Sequence, residues 1–273
     1  MLLLSVGVIS ITTFNDVIKQ LTKPAGELET SVDSLLFGEP NIEVKGIVIS
    51  FIATQYVIER AKELGANLII THENPFYSHQ GAISHIQNDP VYQAKRRLIE
   101  QEGMAIFRFH DHIHKYRPDG IMAGLIAQLG WDAFIEENAA AFSIVHIPSA
   151  TVPELASLIK KKLEIPFVRV AGDISATCSR IGLLAGYRGG GQTAIPLFEG
   201  KGVDLIIAGE GPEWETPEYV RDSAYQGNHK AMIFLGHAPS EEPGMQLLAE
   251  QVRTTFANTP VHYIKSGNLF QIM

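Results

Sequence analysis

Hydrophobic and polar positions follow two patterns along this chain, short β-branched or apolar runs and longer segments with helical spacing. In the first half the short runs predict strands at residues 44–50, 66–71 and 104–109. The longer segments predict helices at residues 54–65, 90–103 and 118–130. Proline opens the second helix and glycine closes it, which is the usual asymmetry of helix ends.

The same alternation continues to the end of the chain. Strands are predicted at residues 142–147, 181–187, 203–209, 231–236 and 261–266. Helices are predicted at residues 151–163, 216–226 and 243–256, and Thr151 and Glu154 have the spacing of a capping box at the start of the first. Strands that alternate with helices predict an α/β protein whose sheets are covered by helices.

The N-terminal stretch "MLLLSVGVISITTF" is the most apolar part of the chain. It lacks the basic region that begins a signal peptide, and it is too short to cross a bilayer. We expect a first strand or an extended segment here, and no membrane span anywhere in the sequence.

Composition and charge narrow the classes of function. The chain has 273 residues, 45% of them hydrophobic and 19% charged, which suits one large or two moderate globular domains. A net charge of −8 disfavours nucleic-acid binding, which depends on positive charge. The single cysteine, Cys178, excludes an internal disulfide and favours a reducing, cytoplasmic location.

Histidine and acidic side chains follow three of the predicted strands, in "THENPF", "HDHIH" and "GHAPSEE". Ligands of open α/β sheets bind beyond the carboxyl ends of strands, so these side chains are candidates for a common site. In "HDHIH" we expect an extended segment whose alternate residues share one face. One histidine near a strand end is usually a surface residue, but imidazole and carboxylate groups from three strand ends suit zinc, iron, manganese or nickel. The histidines at these ends are His72, His110, His112, His114 and His237.

The order of these motifs resembles the NIF-three-like family of dinuclear metal-centre proteins, also catalogued as GTP cyclohydrolase 1 type 2 homologues. The resemblance covers nearly the whole chain through "GANLIITHENPF", "FRFHDHIHKYRPDGIMAGLIAQLGW", "GVDLIIAGEG" and "FLGHAPSEEPGMQLLAEQV". Its most specific element is the His-x-x-x-Glu spacing of His237 and Glu241.

The resemblance implies metal ligands at five positions, His72, Glu73, His114, His237 and Glu241. Two of them depart from the family pattern, which has histidine at the position of Glu73 and aspartate at that of His114. The exchange keeps the total of three imidazoles and two carboxylates, so an altered but functional centre with one or two divalent ions is expected. Whether His110, Asp111 or His112 also binds metal is left open.

The fold implied by the resemblance has two domains, each a mixed sheet covered by helices. Residues 1–131 and 236–273 would form a discontinuous metal-binding α/β domain, and residues 132–235 an inserted α/β domain. The family also implies a toroidal homohexamer.

The function implied is that of a metal-dependent hydrolase of a small-molecule substrate. Glu73 or Glu210 would act as general base, and Glu241 would bridge two metal ions. The alternative is a non-catalytic, ring-shaped metal-binding scaffold or a regulatory interaction protein.

Overall fold

The computed structural model describes residues 11–273, which form two compact units. The first unit runs to His112 and includes Ala249–Ile264, and the second consists of Ile113–Leu248 and Lys265–Met273. The predicted domain boundaries, after residues 131 and 235, differ from these limits and stay a prediction. Most of the predicted N-terminal strand falls on residues 1–10, outside the described residues.

The first unit contains a five-stranded sheet with the order β1-β4-β3-β2-β11. Its strands are β1 (Ser34–Phe37), β2 (Ile47–Ile52), β3 (Leu68–Glu73), β4 (Ala105–Arg108) and β11 (Val261–Tyr263). Only the edge strand β1 is antiparallel to its neighbour. The helices of this unit are α1 (Phe14–Thr22), α2 (Gln55–Glu63) and α3 (Pro90–Gln101). Because parallel strands are covered on both faces, β2 and β3 read as nearly continuous apolar runs and are buried along almost their whole length.

The second unit contains a six-stranded sheet with the order β5-β6-β8-β9-β10-β7. Its strands are β5 (Ile135–Asn138), β6 (Ser143–Thr151), β7 (Arg169–Gly172), β8 (Thr177–Leu184), β9 (Leu205–Ala208) and β10 (Ala231–Phe234). The central strands β8, β9 and β10 are parallel. The other helices of the chain are α4 (Asp111–Lys115), α5 (Gly120–Leu129), α6 (Val152–Leu163), α7 (Gly191–Lys201), α8 (Thr216–Tyr225) and α9 (His237–Thr255).

The α/β class with two mixed sheets is confirmed, and every strand and helix predicted at residues 44–266 is present. The capping box of Thr151 and Glu154 is also confirmed at the start of α6. The extended conformation predicted for "HDHIH" is wrong, because Asp111–Lys115 form the short helix α4. Helix α9 begins at His237 rather than at residue 243, and it accommodates Pro243 within its length.

Among the described residues, no helix combines the length and the apolar character needed to cross a bilayer. Cys178 is fully buried in β8, and burial together with the nearby carboxylates Asp204 and Asp173 raises the pKa of its thiol to about 12. A thiol held in its neutral form in this way is a packing group rather than a nucleophile.

Candidate metal centre

The register of β3 and β4 places the ends of these two strands side by side. Thr71 is the partner of Arg108, and the Phe109 N–H donates to the Thr71 carbonyl at 2.8 Å. The chain therefore leaves the sheet with Glu73 level with His110, whose Nε2 lies 3.6 Å from the Glu73 Oε1. The imidazoles of His72 and His110 stack with their centroids 4.5 Å apart.

The two stacked histidines are both oriented through Nδ1. The Nδ1 of His72, which is completely buried, lies 3.2 Å from the Phe109 carbonyl, and that of His110 lies 2.9 Å from the Asp111 carboxylate. Because a carbonyl or carboxylate oxygen only accepts, each contact places the ring proton on Nδ1. The lone pair that could bind a metal ion is then on Nε2 in both rings.

Asp33 fixes the turn that follows β4. Its carboxylate, 2% exposed, accepts the backbone N–H groups of His110 and Asp111 at 2.7 Å and that of His112 at 3.0 Å. The Nδ1 of His112 lies 2.7 Å from the same carboxylate. These contacts satisfy the first N–H groups of α4, which is why "HDHIH" is helical despite its alternating pattern.

Glu73 has an unexpected cationic neighbour. The guanidinium of Arg108 lies beneath the end of β3 with only 2% of the residue exposed, and its Nη2 is 3.1 Å from the Glu73 Oε2. The same Nη2 lies 3.0 Å from the Nδ1 of His79, and Nη1 donates to the His79 carbonyl at 2.6 Å. Oε2 of Glu73 is therefore bonded to Arg108, while its Oε1 faces the His110 Nε2 at 3.6 Å.

The second unit also has a cluster of ligand-type side chains, at the carboxyl ends of its parallel strands. Strand β8 leads to Gly186, β9 to Glu210 and β10 to His237, which opens α9. Backbone bonds continue beyond the strands, with the Gly209 N–H donating to the Leu184 carbonyl at 3.0 Å. This is the edge at which open α/β sheets place their ligand sites.

His237 lies between two carboxylates. Its Nδ1 is 2.8 Å from the Glu210 Oε1, and its Nε2 is 3.2 Å from the Oε2 of Glu241, one helical turn further along α9. Burial by itself lowers the pKa of His237, but the hydrogen bonds and negative charge of Glu210 and Glu241 outweigh it and raise the pKa to about 10. The hydrogen bond from His237 also holds the pKa of Glu210 below its ordinary value, so that Glu210 is ionised at neutral pH.

The absence of a side chain at Gly186 leaves space for the Glu241 carboxylate. The φ of Gly186 is +65°, in the left-handed region that favours glycine. A Cβ at this position would collide with the Glu241 Oε1 and would lie 3.3 Å from the His237 Nε2. The backbone of residue 186 therefore approaches the cluster more closely than any residue with a side chain would allow.

His114 is held at the start of α5. Its Nδ1 lies 3.0 Å from the Asp119 Oδ2 and 2.9 Å from the Nη2 of Arg188, whose Nη1 also contacts Asp119 at 3.1 Å. Burial by itself raises the pKa of Asp119, but the hydrogen bond and charge of His114 and the charge of Arg188 outweigh it. The net effect is a lowered pKa, which keeps this carboxylate ionised. Asp119 would accept a proton from the His114 Nδ1, whereas Arg188 can only donate to it, so the two contacts compete for the same ring nitrogen.

The five predicted ligands come from both units. His72 and Glu73 belong to the first unit together with His110, whereas His114, His237 and Glu241 belong to the second. Five further polar residues were not predicted: Asp33, His79, Arg108, Asp119 and Arg188. A charged residue within the apolar strand "MAIFRF" is the one signal that could have identified Arg108.

The donor set fits a divalent transition metal. Four histidines at strand or helix ends have an oxygen acceptor at Nδ1: His72, His110, His114 and His237. Metal-binding histidines characteristically donate their other ring N–H to a carboxylate or a backbone carbonyl. With these imidazoles, and with Glu73 in the first unit and Glu241 in the second, each unit offers the nitrogen and oxygen ligand types that zinc, iron or manganese accept.

Comparison with known proteins identifies the family. A profile for Duf34/NIF3 (NGG1p interacting factor 3) proteins matches residues 9–268. A "GTP cyclohydrolase 1 type 2 homolog" of Clostridium perfringens is 26% identical over 227 residues, which cover 80% of this chain and 82% of that protein. A protein of the same name from Archaeoglobus fulgidus is 24% identical over 220 residues, covering 79% and 82% of the two chains.

Solved structures show the same fold. A Bacillus cereus protein related to NIF3 superimposes with a TM-score of 0.75 at 15% identity, over 97% of this chain and 100% of that one. The Staphylococcus aureus protein SA1388 gives a TM-score of 0.74 at 16% identity, over 97% and 100%. With the family profile spanning nearly all of the sequence, the chain belongs to the Duf34/NIF3 family.

Proposed function

We propose that this protein is a metal-dependent hydrolase of a small-molecule substrate. The metal ligands would be His72, Glu73, His114, His237 and Glu241, with zinc, iron, manganese or nickel as the ion and one or two ions per chain. When bound, such an ion lowers the pKa of a water molecule and polarises an ester, amide or phosphate oxygen.

The observation that carries this proposal is the common orientation of the buried histidines. His72, His114 and His237 each have Nδ1 within 3.2 Å of an oxygen atom, the arrangement in which a metal ion would bind Nε2, in His237 after loss of the proton that it shares with Glu241. The same orientation of Nδ1 in three separate segments is the one expected of metal-binding histidines. Glu210 would serve His237 as the outer carboxylate that fixes its tautomer.

The two predicted general bases differ in their surroundings. Glu210 has 40% of its side chain exposed and a lowered pKa, so it can meet a substrate in its proton-accepting form. Glu73 has 14% of its side chain exposed and is paired with Arg108. We therefore favour Glu210 as the proton acceptor and assign Glu73 to metal binding through Oε1.

Metal content tests the ligand set. Purified protein, stripped with chelator and re-equilibrated with zinc or manganese, should retain at least one ion per chain by elemental analysis. His237→Ala should lose most of this metal, since a missing imidazole leaves the site incomplete. His229→Ala is the matched control, because its Nδ1 also contacts a carboxylate, Asp173, but its side chain is 78% exposed. Equal metal loss in both variants, or a protein that takes up no metal, would refute the proposal.

Hydrolysis itself requires a separate measurement. A panel of chromogenic phosphate, ester and amide substrates should identify one class that the metal-loaded protein cleaves. Glu210→Gln, assayed at saturating metal, should lower kcat by about 100-fold or more, the range expected for a lost general base. A metal-loaded protein that cleaves no member of the panel would favour the scaffold alternative instead.

We also propose that the chain assembles with itself, with a homohexamer as the expected form. The C-terminal segment presents four exposed apolar side chains, Leu269, Phe270, Ile272 and Met273. Light scattering should give six times the chain mass of 30.0 kDa, about 180 kDa, and deletion of residues 268–273 should reduce the assembly. A stable monomer at micromolar concentration would contradict this.

A further inference from the structure

The first unit contains a second group of side chains with the spacing of a metal site. Glu73, His79 and His110 each offer a ligand atom, and these atoms lie within 4.8 Å of one another. His79 is not among the five ligands proposed above.

A cation is already bound to two of its three members. Arg108 donates through Nη2 to the Glu73 carboxylate at 3.1 Å and contacts the His79 Nδ1 at 3.0 Å with the same nitrogen. Its Nε also donates to the His72 carbonyl at 3.3 Å, and its Nη1 to the His79 carbonyl. The guanidinium is thus bonded at both ends of the segment 72–79.

The chemistry of these contacts works against a metal ion in the same place. A guanidinium keeps its positive charge at any pH at which proteins are folded, so a second cation beside it is repelled at short range. Since Arg108 can only donate, the His79 Nδ1 accepts and the ring proton is on Nε2. The Glu73 carboxylate, 3.5 Å from the same Nδ1, is the more distant partner. His79 then has no lone pair directed away from Arg108.

Arg108 is also costly to bury, and its retention calls for a reason. It is only 2% exposed in β4, whose other residues are apolar or small and equally buried. A buried arginine is tolerated where its charge is paired and its donors are satisfied, and here both conditions hold. An apolar side chain at this position would leave Glu73 and His79 without their cation.

We propose that the Arg108 guanidinium takes the place of a metal ion in the Glu73–His79–His110 group. The chain then holds a single metal ion, at the ligands proposed above, because the Glu73–His79–His110 group accepts no second one. This inference rests on the proposed function, because it concerns the number of ions that the proposed centre accepts.

The number of zinc ions bound per chain tests whether Arg108 excludes a second ion. Chelator-treated wild-type protein and the variants Arg108→Met and Arg108→Lys are saturated with zinc, freed of excess metal and analysed for zinc per chain. We expect one ion in the wild type, two in Arg108→Met, which removes the charge, and one in Arg108→Lys, which keeps it. Calorimetric titration of Arg108→Met should show a second binding event at least about tenfold tighter than any second event in the wild type.

Two further variants locate the added ion and guard against misfolding. Arg108→Met with His79→Ala should return to one ion, because the new site has lost a ligand. His79→Ala alone should leave wild-type zinc content unchanged, and a fall in content would overturn the proposal even if Arg108→Met did not fold. Two ions in the wild type, or one ion in a folded Arg108→Met variant, would overturn this proposal but not the proposed function. Zinc absent from every variant would overturn the proposed function as well.

Discussion

A single residue can fix the conformation of a segment that lies far away in the sequence. Asp33 does this for the turn at residues 110–112. Its carboxylate accepts three consecutive N–H groups of the turn into α4. Asp33→Ala would leave these groups without their acceptor, and we expect a loss of about 3 kcal/mol in the free energy of unfolding. Urea denaturation measures this directly. Asp33→Asn, which keeps one acceptor oxygen, should lose less, and equal losses would show that the carboxylate is not the cause.

The protonation of His237 predicts a pH dependence of the metal-free protein. Its pKa is raised from 6.5 to about 10, so the folded state holds this proton more tightly than the unfolded state does. The resulting stabilisation is fully present below pH 6.5 and is lost as the pH rises through about 10. Relative to His237→Gln, chelator-treated wild type should therefore lose unfolding free energy between these values.

The same proton competes with metal. Because Nε2 must be deprotonated to bind an ion, zinc affinity should increase as the pH rises from neutrality toward 10. Calorimetry in buffers of different ionisation enthalpy should detect release of about one proton per ion. Binding without proton release would show that His237 is not a ligand.

The sequence predicts candidate metal ligands where histidines and acids directly follow a strand. It does not predict the surroundings of a side chain when these depend on a residue far away in the sequence. The clustering of Glu210, His237 and Glu241 follows from the parallel strands and from helical spacing. The exchange of Glu73 and His114 was interpreted by counting ligand charges, but that count omits Arg108. No pattern in the sequence shows that a residue of β4 reaches back to His79, because this contact depends on the tertiary fold.

At the scale of elements, helices α5 and α9 meet through glycine. A Cβ at Gly124 in α5 would lie 2.5 Å from the Pro243 carbonyl and would collide with the Gly244 Cα in α9. Gly124→Ala should therefore destabilise the protein by about 1–3 kcal/mol, the usual cost of overpacking.

Gly200 is the matched control for this prediction. It lies in α7 with open space around the position of its Cβ. Gly200→Ala should stabilise the protein by about 0.5–1 kcal/mol, because alanine restricts the unfolded chain and favours the helix. Thermal unfolding of both variants tests the sign, and destabilisation by both would contradict the assignment of close packing to Gly124.

Elements were predictable where their signal is strong. The parallel strands are apolar and bounded by turn residues, and all of them were found from the sequence. The edge strands β1, β5 and β7 have only four residues each and lie antiparallel to their neighbours, so burial on one face leaves little pattern. Helix α7 was missed because glycines precede it and Pro196 lies inside it.

At the scale of the whole molecule, both units place their histidines and acids by the same rule. Each uses the carboxyl ends of neighbouring parallel strands, β3 and β4 in one sheet and β8 to β10 in the other. This rule needs no specific residue type in the strands beyond apolar ones. The topology of the sheets alone brings the carboxyl ends of these strands together, so the fold can be kept at 15–16% sequence identity.

The glycine at position 186 offers a way to ask what the protein does in a cell. Gly186→Ala leaves every proposed ligand in the sequence but puts a methyl group where the Glu241 carboxylate lies. We expect a folded protein of unchanged assembly state that retains little metal, as light scattering and elemental analysis would show. A strain carrying this allele would separate the two proposed roles. Growth like that of a deletion would assign the physiological need to chemistry, whereas normal growth would assign it to the assembly.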